Sequence, residues 1–140
     1  MSFAPQEIDH PLIIKYHRQL DKFYEGLSTD ITLIVTLPCE TSKAVLAYLL
    51  ELACQAQNIL NIELGRKALQ AIPRDWLIVN VEPIANEILS VGDEWEYRRL
   101  LEAYELLDLE LVDKLISTGI SSNNPNIKST AEDYAVKFRQ

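Results

Sequence analysis

Apolar residues recur along this chain at steps of three and four, the spacing that gathers them on one face of an α-helix. In residues 11–25 they are Ile13, Tyr16, Leu20, Phe23 and Tyr24. Asp9 or His10 can cap this segment, Pro11 suits its first turn, and Gly26 is a stop signal. Thr41 or Ser42 can cap a second helix reaching Gln57, in which Ala44 to Leu50 is apolar on nearly every side, as in a helix covered by neighbours all round. Asn58 can cap residues 59–72, which end at Pro73, and Asp75 can cap residues 76–90, with Pro83 expected to kink or split that helix. Gly92-Asp93 marks a break. Residues 94–107 then carry the stripe Tyr97, Leu100, Leu101, Tyr104 and Leu107, with Glu94, Arg98, Glu102 and Glu105 opposite as expected i,i+4 pairs. Asp108 can cap residues 109–117, which Gly119 would close, and the polar loop 121–125 leads to a last helix over 126–138.

Residues 31–37 break this pattern. Ile31-Thr32-Leu33-Ile34-Val35-Thr36-Leu37 is β-branched and has the composition of a strand. No second convincing strand exists to pair with it, and a lone strand leaves its backbone groups unpaired. A short helix held by tertiary packing, an extended segment, or a strand pairing across a dimer would each resolve this, and the first is favoured. The expected architecture is all-α: one domain over residues 1–140, with about seven helices arranged as antiparallel hairpins in a short stack or irregular bundle.

A weak repeat lies in the second half. Residues 92–104 can be laid over 122–134 at a register of 30, so that Asp93 matches Asn123 as cap, Tyr97 matches Ile127, Arg98 matches Lys128, Leu101 matches Ala131 and Tyr104 matches Tyr134. Residues 62–69 offer a third copy. At Tyr97-Arg98 and Ile127-Lys128 the chain resembles HEAT-like helical repeats, over residues 58–140. It departs from them in its short period, in the mismatch of Leu100 with Thr130, and in residues 1–57, which show no repeat. The resemblance implies an α-α superhelix that stacks hairpins and offers extended surfaces. Glu132, Asp133, Lys137 and Arg139 would then cap its end. The same stretch is also similar to small cyanobacterial helical proteins, a likeness that implies no activity.

Composition narrows the function classes. With 48% hydrophobic residues in 140, the chain can build a core without disulfides or metals. Its net charge of −8 disfavours nucleic acid and anionic membranes as partners and favours a basic one. No apolar stretch approaches the length of a membrane span, and Met1-Ser2-Phe3-Ala4-Pro5 lacks the pattern of a secretion signal, so a cytoplasmic location is expected.

Candidate chemistry is sparse. Cys39 and Cys54 are not in a C-x-x-C spacing, and His10 and His17 lie upstream of both, seven residues apart rather than three or four. Glu7 or Asp21 could join the histidines at a metal, but they read better as surface residues. Cys39 sits near a helix start that would activate a thiol, yet nothing places a base beside it. Glu-x-x-His occurs once, at Glu7–His10, so pairs such as Glu82/Glu87 and Glu102/Glu105 read as a solvated face rather than a di-metal site. Glycine-rich phosphate loops, G-x-S-x-G and H-E-x-x-H are absent. No catalytic, cofactor or metal residue is therefore assigned. Trp76 and Trp95 each occupy a first helical turn just after an Asp, and residues 82–113 hold ten acids against Arg98 and Arg99, an excess equal to the net charge of the whole chain. These features point to a non-catalytic protein–protein interaction or regulatory module, with Trp95, Glu96, Arg99 and Asp113 as partner-binding candidates. The alternatives are a small-molecule sensor, with a site between the aromatic first helix and the helix around Tyr48, and a structural homodimer joined through residues 31–37.

Overall fold

A computed structural model describes residues 10–90 and 92–139, and every one of its regular elements is helical. The described residues form seven α-helices, α1 (Pro11–Phe23), α2 (Cys39–Ala53), α3 (Ile59–Ala71), α4 (Arg74–Ile88), α5 (Glu94–Leu107), α6 (Leu109–Ile120) and α7 (Pro125–Phe138), and one 3-10 helix (Ile31–Thr36) between α1 and α2. Asp9 and Glu7, the other proposed cap and metal partner, lie outside the described residues. His10 caps α1, its Nδ1 accepting from the Leu12 amide at 3.1 Å. The chain leaves α1 through Gly26, whose φ of +100° requires a residue without a Cβ.

The β-branched segment resolves as a short helix. Asp30 caps it through the Thr32 amide, and Ile31 and Ile34 turn into the core while Val35 stays outside. Helical turns satisfy the backbone locally, and the pairing of residues 31–37 as strands across a dimer falls with the strand itself. Two other expectations need correction. Helix α2 starts at Cys39, immediately after Pro38, so Thr41 and Ser42 lie inside it. Ser42 donates its hydroxyl back to the Cys39 carbonyl at 3.0 Å and is not a cap. It also ends at Ala53, before Gln57. Helix α4 starts at Arg74 after Pro73, so Asp75 is a first-turn residue and not a cap. It also runs through Pro83 as one element. Pro83 is exposed, and so is Val79 one turn earlier, whose carbonyl loses its amide partner to the proline. The freed group is on the wet side of the helix, where water can satisfy it.

Helix α2 is central, packing against α1, the 3-10 helix, α3, α4 and α5. Its neighbour α3 comes so close that a Cβ on Gly65 would sit 2.6 Å from the Ala53 nitrogen and 2.7 Å from the Leu49 carbonyl oxygen. Glycine at that point lets two helix backbones touch. In the second half α6 packs on both α5 and α7, and α5 also packs on α3 and joins the halves. One buried cluster runs without interruption from Ile13 in α1 to Ala131 in α7.

Gly119 does not close α6; it lies inside the helix, which continues to Ile120. It is buried against Tyr97 and Ala131, and a Cβ there would overlap the Tyr97 hydroxyl. That hydroxyl donates to the Leu115 carbonyl at 2.8 Å, tying α5 to α6. The 30-residue register reappears in burial: Tyr97, Leu100 and Leu101 are buried in α5, and Ile127, Thr130 and Ala131 in α7. The cap does not keep that register. Asn124, not Asn123, caps α7 through the Asn126 and Ile127 amides, because Pro125 occupies the first helical position and the cap must directly precede it. No helix of the described residues is long and apolar enough to cross a membrane.

Candidate functional site

The acidic run does not stand as a bare charged face. Much of it is bound by bases brought from other helices. Glu102 receives Arg66 from α3 at 2.6 Å and Arg99 from its own helix at 2.9 Å. Glu82 pairs with Lys114, Glu105 with Lys137, Asp108 with Arg74 and Asp113 with Arg139. Neither of the expected pairs along α5, Glu94–Arg98 and Arg98–Glu102, forms. Arg98 instead donates to the Thr130 hydroxyl at 3.1 Å and lies 5.8 Å from the centre of the Trp95 ring, while Glu102 is taken by two other guanidinium groups.

What remains is an open cleft of about 460 Å³ between the end of α2, the end of α4 and the start of α5. Asp93 builds its lip. Its carboxylate accepts from the Trp95 and Glu96 amides at 2.9 and 3.0 Å, satisfying the open end of α5 and fixing Trp95 in the first turn. Glu96 folds back to accept the Ser90 amide at 2.7 Å and so fastens the loop before α5. Glu51 approaches from α2, and Cys54, Ile88 and Leu89 supply the apolar floor. Trp95 stands at the edge, 50% exposed. Arg99 braces the wall by donating to the Ala56 carbonyl at 2.9 Å.

Of the four residues expected to meet a partner, Trp95 and Glu96 line this cleft and Arg99 supports it from behind. Asp113 does not belong to it. It sits on α6, where its carboxylate and carbonyl are both held by Arg139. The sequence marked the α5 side of the cleft because a capping Asp, a Trp and a Glu are contiguous there. It gave no sign of Glu51, Cys54 or Ile88, which reach the cleft only through the packing of α2 and α4 against α5. Trp76 is partly buried against the core.

The Cys54 thiol is 3% exposed, and burial, reinforced by the nearby Glu96 carboxylate, pushes its pKa up to about 12. It therefore stays protonated and unreactive at neutral pH. Both cysteines are free thiols, and Cys39 is exposed at the first position of α2. The His10 Nδ1 is occupied in capping α1. Among the described residues, no group of three or more His, Cys, Asp and Glu side chains is placed to hold a metal ion. Between the first helix and the helix around Tyr48, Tyr16 stacks on Tyr48 at 6.3 Å and Phe23 lies against Tyr48 at 5.9 Å. Comparisons with protein-family models, with curated proteins and with solved structures gave no match.

Proposed function

We propose that this chain is a non-catalytic interaction module whose cleft at the start of α5 receives a basic side chain of a protein partner. The observation that carries this reading is the placement of a half-exposed indole, Trp95, among the carboxylates of Glu51, Asp93 and Glu96 over an apolar floor. An aromatic anchor beside acidic groups suits an arginine or lysine: the aliphatic stem packs on the ring and the floor, and the charged head meets the carboxylates. These carboxylates also steer a basic partner toward the cleft and repel an acidic one.

The likeness to HEAT-type repeats belongs with this reading. Stacked hairpins bury one another sideways and do their work on outer surfaces, and the shared register of buried positions in α5 and α7 supports such a stack. Two free thiols suit a reducing compartment, so the cytoplasm is the setting we favour. The acidic charge leaves nucleic acid outside the proposal.

Affinity capture from the native cell tests it, with the wild-type chain and a Trp95→Ala/Glu51→Lys variant compared at low and high salt. Both substitutions fall on residues whose exposure spares the core. A basic partner should be held by the wild type at low salt and lost on both salt addition and substitution. Capture that survives the double substitution would remove the cleft from the account.

A further inference from the structure

The bases of this chain are unevenly used. Arg66, Arg74, Arg99, Lys114, Lys137 and Arg139 are held in ion pairs with acids elsewhere in the fold. Lys15, Arg18 and Lys22 enter no such pair among the described residues. All three are exposed and lie on α1 at steps of three and four, which sets them in one sector about 60° wide and about 10 Å long. They surround a depression of about 490 Å³ that also includes Pro11, Ile14 and Gln19. Ile14 is 38% exposed there, while Ile13, Tyr16 and Leu20 point the other way into the core. A cationic stripe around an apolar spot is thus built onto a protein of net charge −8. Asp21, the acid within the same helix, is turned from the stripe to the following loop, where it accepts from Ser28 and Gly26.

The stripe is complementary to the cleft at the start of α5. One surface offers three bases beside an exposed isoleucine, and the other offers three carboxylates beside an exposed tryptophan. They share no residue, so one chain can present both at once. We infer that the outer face of α1 docks into the acidic cleft of a second copy of this chain, with Lys15, Arg18 and Lys22 facing Glu51, Asp93 and Glu96, and Ile14 facing Trp95. This inference rests on the cleft being a receptor for basic side chains, and it names the partner. A contact between two different surfaces closes into a ring, of which a reciprocal twofold dimer is the smallest, or extends as a filament. The charge of the whole chain argues against an anionic membrane or a nucleic acid at the stripe, since the body behind it is repelled.

Sedimentation velocity of the full chain tests this. At low salt the wild type should grow in mass with concentration, and high salt should return it to monomer. Two variants separate the surfaces: Lys15→Glu/Arg18→Glu/Lys22→Glu loses the stripe, and Trp95→Ala/Glu51→Lys loses the cleft. Each alone should be monomeric, while an equimolar mixture should give a one-to-one dimer and nothing larger, because only one complementary contact survives. Lys15→Gln/Arg18→Gln/Lys22→Gln replaces the first variant if the charge reversal impairs folding. A wild type that stays monomeric at millimolar concentration and low salt overturns the inference, as does a mixture that stays monomeric. Association that needs α1 but not the cleft overturns it too. A chain that responds to a basic peptide at Trp95 yet never self-associates keeps the cleft as a receptor and removes only the second copy as its occupant.

Discussion

Gly119 shows how much one missing methyl group can hold together. In an exposed helix interior, replacing glycine with alanine stabilises by about 1 kcal/mol. Here the added Cβ would overlap the Tyr97 hydroxyl and come within 2.7 Å of the Ala131 Cβ. Tyr97 is fully buried and its hydroxyl is committed to Leu115, so it cannot step aside without leaving a polar group unpaired. Gly119→Ala should therefore destabilise the fold, by about 3 kcal/mol, from overpacking combined with the lost hydrogen bond. Chemical denaturation measures this, and a gain in stability would show that α5, α6 and α7 pack more loosely than described. The sequence offered no route to this role. A glycine at the end of a short apolar run reads as a helix stop, and the residue that needs its space, Tyr97, belongs to the preceding helix. Cys54 is a simpler case, because a cysteine set in an apolar run reads as a small buried hydrophobe, and it is buried.

The elements that could be read from the sequence were those whose signals are local. Helix α5 has a capping Asp at its start and an unbroken apolar stripe, and it was placed to the residue. Helices α2 and α4 begin one turn or less before the caps expected for them, because a proline just ahead set the entry and no side-chain cap was needed. The 3-10 helix had strand-like composition, and its form followed from the absence of any partner strand. Charge pairing was least legible, since i,i+4 spacing predicts partners on one helix while the fold brings competitors from others. Glu102 illustrates this: Arg66 crosses from α3 to meet it, and the side chains of this triad are only about a quarter exposed. Replacing Glu102 with Gln leaves two partly buried guanidinium groups facing each other without their shared counter-charge. The expected cost is about 1–2 kcal/mol, with most of it removed at high salt for the exposed part of the network. Glu105→Gln, which touches only the exposed Lys137, should leave the denaturation midpoint unchanged. Equal effects of the two substitutions would mean that the α3–α5 tie is no stronger than a surface contact.

At the scale of the molecule, helices laid against one another produce one continuous core. The all-helical class and the side-by-side packing followed from periodicity alone. The cleft was only half legible: its α5 wall is a contiguous run of sequence, whereas its α2 and α4 walls are set by tertiary packing. The dispersal of the acidic run into ion pairs was likewise beyond a count of charges, and those pairs take in neither the bases of α1 nor the carboxylates of the cleft. Trp95 reports on the second of these directly. In a Trp76→Phe background it is the remaining indole, and it is half exposed at the mouth of the cleft. Its emission, followed while a short arginine- and lysine-containing peptide is added at low salt, is the decisive measurement. The account predicts a saturable blue shift that weakens with salt and disappears with Glu51→Lys; an emission maximum that does not move, or a shift indifferent to Glu51 and to salt, would contradict it.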